Sequence, residues 1–260
     1  MAGVTSLELR LAAIDAARPI ALSCSLSTLT QLWQQHVTAQ VPLQYLVGSV
    51  PWRQFQLQVG PGVLIPRPET ELIVDLALEA TLGMPELQQG QWVDLGTGSG
   101  AIALGLADVL PQAQIYALDC SITALEIAQA NAEGHGFSPR IRFLPGDWFA
   151  PLDAVPGPWQ GIVSNPPYIP KAEIAQLAPQ IQLHEPHLAL DGGDDGLACL
   201  THLVTHAPRY LCSGGIWLVE TMAGQAPWVR SRLEAQGQYQ HIQIFADLAG
   251  IERFVLAHRR

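Results

Sequence analysis

From Gln91 onward the chain alternates short apolar runs with longer helical stretches, an order that few folds accept. Runs rich in β-branched and aromatic residues at 91–95, 114–119, 140–144, 161–164, 216–220, 240–246 and 252–258 read as strands. Helical patterns fill the intervals at 100–110, 121–133, 194–211 and 225–236. A strand that reaches the next strand through a helix re-enters the sheet in the same direction, so the pattern predicts an α/β domain with a parallel sheet. The last two strands are joined by a short link and are expected to run antiparallel.

Two regions precede this alternation. Residues 1 to about 48 carry helical patches at 7–13 and 28–33, with Ser27 and Gln31 placed to open the second. Pro42 to Gly48 read as a helical turn closed by glycine. Trp52, Phe55, Leu57 and Val59 then alternate with Arg53, Gln56 and Gln58. Gly60-Pro61-Gly62 interrupts that run and Val63-Leu64-Ile65 resumes it, which predicts a hairpin with a glycine-containing loop. The expected organisation is a helical region over 1–48, a linking hairpin over 49–66 and the main domain over 67–260. Pro68, with Glu69 and Glu71, suits the first turn of a helix running on from Leu72. The stiff Pro66-Arg67-Pro68 beside Glu69 and Thr70 could also wall a ligand site.

At 260 residues the chain can bury one full core and a small appendage. Hydrophobic residues at 48% and charged ones at 14% describe a compact globular protein. Thirteen Lys+Arg against 23 Asp+Glu leave a net charge of −10, and Lys171 is the only lysine. Neutralising many phosphates takes a basic stripe, so no direct nucleic-acid binding is expected. Cys24, Cys120, Cys199 and Cys212 show neither C-x-x-C spacing nor a nearby histidine cluster. They read as reduced structural thiols, and no metal site is expected. No apolar stretch reaches membrane-spanning length and no signal-peptide order opens the sequence, which predicts a cytoplasmic protein with no membrane contact.

Chemistry concentrates where the expected strands end. Val93-Asp94-Leu95 runs into Gly96-Thr97-Gly98-Ser99-Gly100, a turn in which ligand and backbone can approach closely. Dinucleotide binding is the obvious rival, but its third glycine falls three residues after the second, and that position here is Ala101. Asp94 can bind loop amides or face a ligand ammonium. Asp119, at the end of the next strand, can accept both hydroxyls of a ribose, or it can cap the helix that follows, a role open to Ser121 as well. Asp147 and Trp148 end the third strand, where an acid and a ring could bracket the edge and face of an adenine.

The fourth strand stops at Asn165-Pro166-Pro167-Tyr168. Two acceptors aimed at an –NH2 group hold its hydrogens and leave the nitrogen lone pair facing an electrophile. Asn165 can supply such acceptors, and Tyr168 can lay its ring against the flat group that carries the nitrogen. Methylation of an amide or an aromatic amine needs this, because a poorly nucleophilic nitrogen gains mostly from orientation. The same four residues would also serve as a strand end closed by a Pro-Pro turn.

Taken together, these stretches resemble the bacterial peptide chain release factor glutamine methyltransferases. The resemblance rests on 64–71, 94–100, Asp147-Trp148-Phe149, 164–168, Glu185-Pro186, 189–193 and 195–197, and it spans roughly residues 40 to 258. It implies a seven-stranded, Rossmann-like methyltransferase sheet that binds S-adenosyl-L-methionine through Gly96, Thr97, Gly98, Ser99, Gly100, Asp119 and Trp148. Asn165 would touch donor and substrate, while Pro166, Pro167 and Tyr168 would hold the glutamine. The implied substrate is the glutamine of the Gly-Gly-Gln loop in class I release factors, so the implied partners are those proteins. The family's N-terminal helical domain, longer than the region seen here, helps dock them. The sequence nominates no clear general base; His184 and Glu185 could take the proton or form a polar lid over the substrate, and a monomer is expected. The alternative is an N6-adenine methyltransferase of DNA or RNA, because adenine also presents a planar –NH2.

Overall fold

The computed structural model describes residues 24–260, so the helical patch at 7–13 lies outside the described residues. Seven strands form one sheet in the order β5-β4-β3-β6-β7-β9-β8. They are β3 (Gln91–Leu95), β4 (Gln114–Asp119), β5 (Ile141–Pro145), β6 (Trp159–Ser164), β7 (Leu211–Glu220), β8 (Tyr239–Ala246) and β9 (Glu252–Arg259). Contacts among β3 to β7 are parallel, and β9 runs antiparallel to both β7 and β8. The chain can reverse between β8 and β9 without a crossover because Asp247 closes the link. Its Oδ1 accepts the amides of Ala249 and Ile251, each at 2.9 Å, and its Oδ2 accepts Arg253 Nε–H at 2.6 Å.

Successive side chains of a strand point to opposite faces, and here both faces are covered. Ile216 and Leu218 of β7 enter one apolar cluster with Trp92, while Trp217 and Val219 enter the other with Trp159. The first cluster is closed by helices α3 (Glu71–Ala80) and α4 (Ala101–Val109), and the second by α6 (Ala198–His206) and α7 (Ala226–Gln236). Gly161 stands opposite Trp92 in the β3–β6 register. A Cβ there would sit 2.1 Å from the indole, so the large ring is accommodated because its neighbour has no side chain.

Helix α1 (Leu26–Ala39) is capped by Ser25, whose hydroxyl accepts Thr28 N–H at 3.1 Å, not by Ser27 as the sequence suggests. A short helix, α2 (Leu43–Val47), ends at Gly48 with φ +77, as the glycine predicts. The hairpin pairs β1 (Ser49–Trp52) with β2 (Phe55–Gln58). Its turn is Arg53-Gln54 and not the glycine segment, a correction with a tertiary cause. Arg53 takes φ +49 and is held there by its amide on Glu71 Oε1 and its guanidinium on the Glu71 carbonyl, both at 2.9 Å. Val63-Leu64-Ile65 forms no strand, and Gly62 to Leu64 line a cavity instead. Trp52, Phe55 and Leu57 share the cluster of α3 and α4, so the hairpin is packed into the main body. Among the described residues no helix is long and apolar enough to cross a membrane.

Candidate active site

The sheet order reverses between β3 and β6, because β4 and β5 lie to one side of this pair and β7 to the other. Open α/β sheets hold ligands in the crevice beyond the strand ends at such a point. The register aligns Leu95 with both Leu118 and Ser164. Gly96, Asp119 and Asn165 therefore leave the sheet at one level, and Ser164 Oγ–H donates to the Leu95 carbonyl at 2.7 Å.

The glycine loop is held against the end of β4. Gly96 and Thr97 N–H both donate to the Leu118 carbonyl, at 2.8 and 2.9 Å. Gly96 and Gly98 take φ +76 and +55, and a Cβ on either would meet no atom within 4 Å. Both line the cavity beyond, so their missing side chains leave that space open. Gly100 differs: it lies outside the lining, and its Cβ would come within 3.0 Å of the Ala128 Cβ in α5 (Ile122–Gly134). Its conformational freedom serves helix packing.

Asp94 faces inward. Its Oδ2 accepts Thr97 Oγ1–H at 2.6 Å and Ala103 N–H at 3.1 Å, which ties the loop to α4. Complete burial pushes its carboxyl up to about 7, against the lowering effect of those two bonds. The folded protein thus holds a proton that the unfolded chain has released near pH 4, and stability falls as pH rises between those values. Asp94→Asn should accordingly gain on the wild type, on the order of 1–3 kcal/mol, between pH 5 and pH 8 in denaturant titrations. An unchanged gap would show that the carboxyl is already ionised at the lower pH.

Ser121 caps α5, its hydroxyl accepting Ala124 N–H at 3.2 Å, which leaves Asp119 free of that duty. Asp119 Oδ2 instead accepts Gly98 N–H and its Oδ1 accepts Ser121 N–H, both at 2.9 Å. Each oxygen keeps a lone pair for a further donor, as two vicinal hydroxyls require. Asp119, Asp147, Trp148, Asn165 and Pro167 all line one cavity of about 330 Å³, within the roughly 300–1,000 Å³ usual for small ligands. Trp148 takes φ +45 and is backed by His202, with ring centroids 5.9 Å apart. An open glycine floor, a carboxylate with spare lone pairs and an aromatic wall fit a nucleoside-bearing donor.

A smaller recess of about 50 Å³ adjoins it, lined by Pro66, Arg67, Thr70, Thr97 and Ser99 and sharing Leu64, Gly96, Gly98 and Asn165 with the first. The Pro-x-Pro segment thus walls a site as well as opening a helix. Pro166 is buried and Tyr168 half-buried, and neither lines a cavity. Tyr168 turns its hydroxyl to Glu220 Oε1 at 3.3 Å, so its ring is part of the support of the motif. Glu220 Oε2 accepts Thr70 Oγ1–H at 2.7 Å, and Thr70 Oγ1 in turn accepts Asn165 Nδ2–H at 3.2 Å. Sequence reasoning missed Glu220, which ends β7; an acid closing an apolar strand is the signal that was available. Glu185 likewise acts as a brace and lines neither cavity. It is buried, holding Ile65 N–H at 3.1 Å and Arg67 at 2.7 Å, while His184 reaches the Ala39 carbonyl.

The glycine-rich stretch after residue 190 backs the Asn165 motif. Ile169 N–H donates to the Leu190 carbonyl at 3.0 Å and Gly192 N–H returns to Ile169 at 2.9 Å. A Cβ on Gly196 would lie 2.4 Å from the Tyr168 carbonyl, so the loop can press against that backbone only as glycine.

Residues 74–193 match the family model described as Methyltransferase small domain. The release factor glutamine methyltransferase of Synechocystis sp. is 53% identical over 241 residues, covering 92% of this chain and 81% of that one. That of Thermosynechococcus vestitus is 48% identical with the same two coverages, 92% and 81%. Among solved structures, the hMettl16 catalytic domain in complex with MAT2A 3'UTR hairpin 6 shares the fold, with a TM-score of 0.60 at 15% identity over 78% of this chain and 75% of that one.

Proposed function

This chain belongs to the release factor glutamine methyltransferase family, and on that premise we propose that it methylates the side-chain amide nitrogen (N5) of the glutamine in the Gly-Gly-Gln loop of class I peptide chain release factors, tuning translation termination. It is an S-adenosyl-L-methionine-dependent methyltransferase. When bound, the donor supplies a methyl group already activated on a sulfonium, so orientation and dry packing can account for most of the rate. The observation that carries the reading is the position of Asn165, at the junction of the two cavities and level with the glycine loop.

In this reading Gly96 to Gly100 form the donor loop, with Gly96 and Gly98 as its floor, Thr97 bracing it through Asp94, and Ser99 and Gly100 leading into α4. Asp119 takes the ribose hydroxyls, and Asp147 and Trp148 take the adenine edge and face. Asn165 presents an acceptor to the substrate –NH2, with Pro166, Pro167 and Tyr168 holding the strand end around it. Helices α1 and α2 and the β1–β2 hairpin serve docking, and residues 67–260 carry the reaction. The protein acts as a cytoplasmic monomer and does not bind nucleic acid, as a net charge of −10 and a single lysine favour.

Asp119→Ala should weaken donor binding by about 1.5–3 kcal/mol in calorimetry, the scale of hydrogen bonds to a charged group. Unchanged affinity in a folded variant would remove Asp119 from the donor site. For the substrate, labelled methyl groups should appear on a release factor bearing Gly-Gly-Gln and vanish when that glutamine becomes alanine. DNA and RNA at equal concentration should stay blank. Labelled adenine with a blank release factor would overturn the substrate and leave the fold and donor site standing.

A further inference from the structure

We propose that Glu220, acting through Thr70, is a positioning residue that decides which end of the Asn165 side-chain amide faces the cavities. The inference rests on the reading above only in taking an –NH2 group as the partner of Asn165.

Glu220 ends β7 and is 2% exposed; Thr70 is 4% exposed. Thr70 lines the smaller recess and Glu220 lines neither cavity, yet together they form one directed chain. An ionised carboxylate has only lone pairs, so at 2.7 Å the single Thr70 hydroxyl proton is committed to it. Thr70 Oγ1 then faces Asn165 with lone pairs only, and the amide meets it with Nδ2–H at 3.2 Å. Turning the amide by half a rotation would set Asn165 Oδ1 against an oxygen with no proton to share. The carbonyl end is therefore the one left for a substrate, and an acceptor is what a substrate –NH2 needs. Tyr168 gives its hydroxyl proton to the other oxygen of the same carboxylate, so two residues of the motif are keyed to one acid.

Protonation of Glu220 would reverse this logic, because a carboxylic acid can donate to Thr70 and release the Thr70 proton towards Asn165 Oδ1. Burial raises the Glu220 carboxyl to about 7; Thr70, Tyr168 and Arg253 of β9 pull it down and Glu69 pushes it up. Arg253 is itself paired with Asp247, and Arg67 acts on Tyr168. The carboxylate form prevails above this value, so transfer should rise with pH through about 7.

The sequence permits a direct reading, since Asn131 and Asn165 are its only asparagines. Isotope-labelled asparagine gives two side-chain amide signals, and Asn131, bound to the Gln58 and Ser99 carbonyls at 3.0 and 2.8 Å, is the internal reference. In the wild type the Asn165 signal should titrate with a midpoint near pH 7 while Asn131 stays still, and in Glu220→Gln it should not titrate. Single-turnover transfer should fall about 10- to 100-fold in both Glu220→Gln and Thr70→Val, with donor Kd within about twofold. Thr70→Ser, which keeps the hydroxyl, should stay within about threefold of wild type, and the double variant Thr70→Val/Glu220→Gln should be no slower than the slower single one. A flat Asn165 signal in folded wild type, wild-type transfer by both single variants, or equal damage from Thr70→Ser and Thr70→Val would overturn the proposal. The amide titration is read without methyl acceptor. A protein that shows it but labels no release factor overturns the substrate reading and leaves the relay in place.

Discussion

Asn165→Ala is expected to lower single-turnover methyl transfer about a hundredfold or more while donor affinity changes by no more than about threefold. The asymmetry follows from where the residue stands. Asn165 borders both cavities, but the donor's large contacts belong to the glycine floor, Asp119 and Trp148. Truncation at Cβ removes the group that would orient the substrate nitrogen, and it leaves Asp119 bound to Gly98 and Ser121 as before. Orientation is the larger part of catalysis for a nitrogen whose lone pair is delocalised, so the loss should fall on the chemical step. The fold should survive, because Ser164 holds β6 to β3 through its own bond to Leu95. Rapid-quench measurement with donor and release factor both saturating separates the step from binding. A variant that transfers at the wild-type rate would reduce Asn165 to a strand-end residue.

Gly98→Leu should abolish measurable donor binding, with Kd raised about a hundredfold or more, and still fold. A Cβ on Gly98 would meet no protein atom within 4 Å and Gly98 lines the cavity, so the added side chain is expected to enter that space rather than the core. The backbone there is left-handed at φ +55, which costs a non-glycine residue roughly 1–2 kcal/mol and a melting temperature lower by about 2–8 °C. Gly100→Leu is the control with the opposite signature. Its Cβ would press on Ala128 at 3.0 Å and on the Ala128 backbone at 3.2 Å, so the damage there should appear as lost stability. Calorimetry and thermal melts on both variants distinguish the two roles. Wild-type donor affinity in Gly98→Leu would mean that the donor does not approach the loop from this side.

The parts of the protein legible in its sequence are those set by neighbours along the chain. Strand and helix periods predicted each of β3 to β9, although β7 begins at Leu211 inside the expected helix 194–211, and the alternation of strands with helices predicted a parallel sheet, as β3 to β7 form. The glycine triplet, Asp119, Trp148 and Asn165 could be placed at strand ends because a strand end is a local event. The hairpin turn was misplaced for the complementary reason. Arg53 is an ordinary residue for its neighbours, and its left-handed conformation is held by Glu71 eighteen residues away. Gly100 and Tyr168 looked like ligand contacts from their motifs, whereas the packing of α5 against one and the acid of β7 beneath the other decide what they touch. Thr70, Asn165 and Glu220 lie 95 and 150 positions apart along the two links of their chain, and no spacing rule reaches that far. Only the closing of the sheet on α3 brings them within hydrogen-bond range. Local pattern therefore determined which groups stand at the crevice, and the tertiary structure decided which way the decisive amide points, because a hydrogen-bond direction is set by the partner's spare proton and not by its place in the sequence.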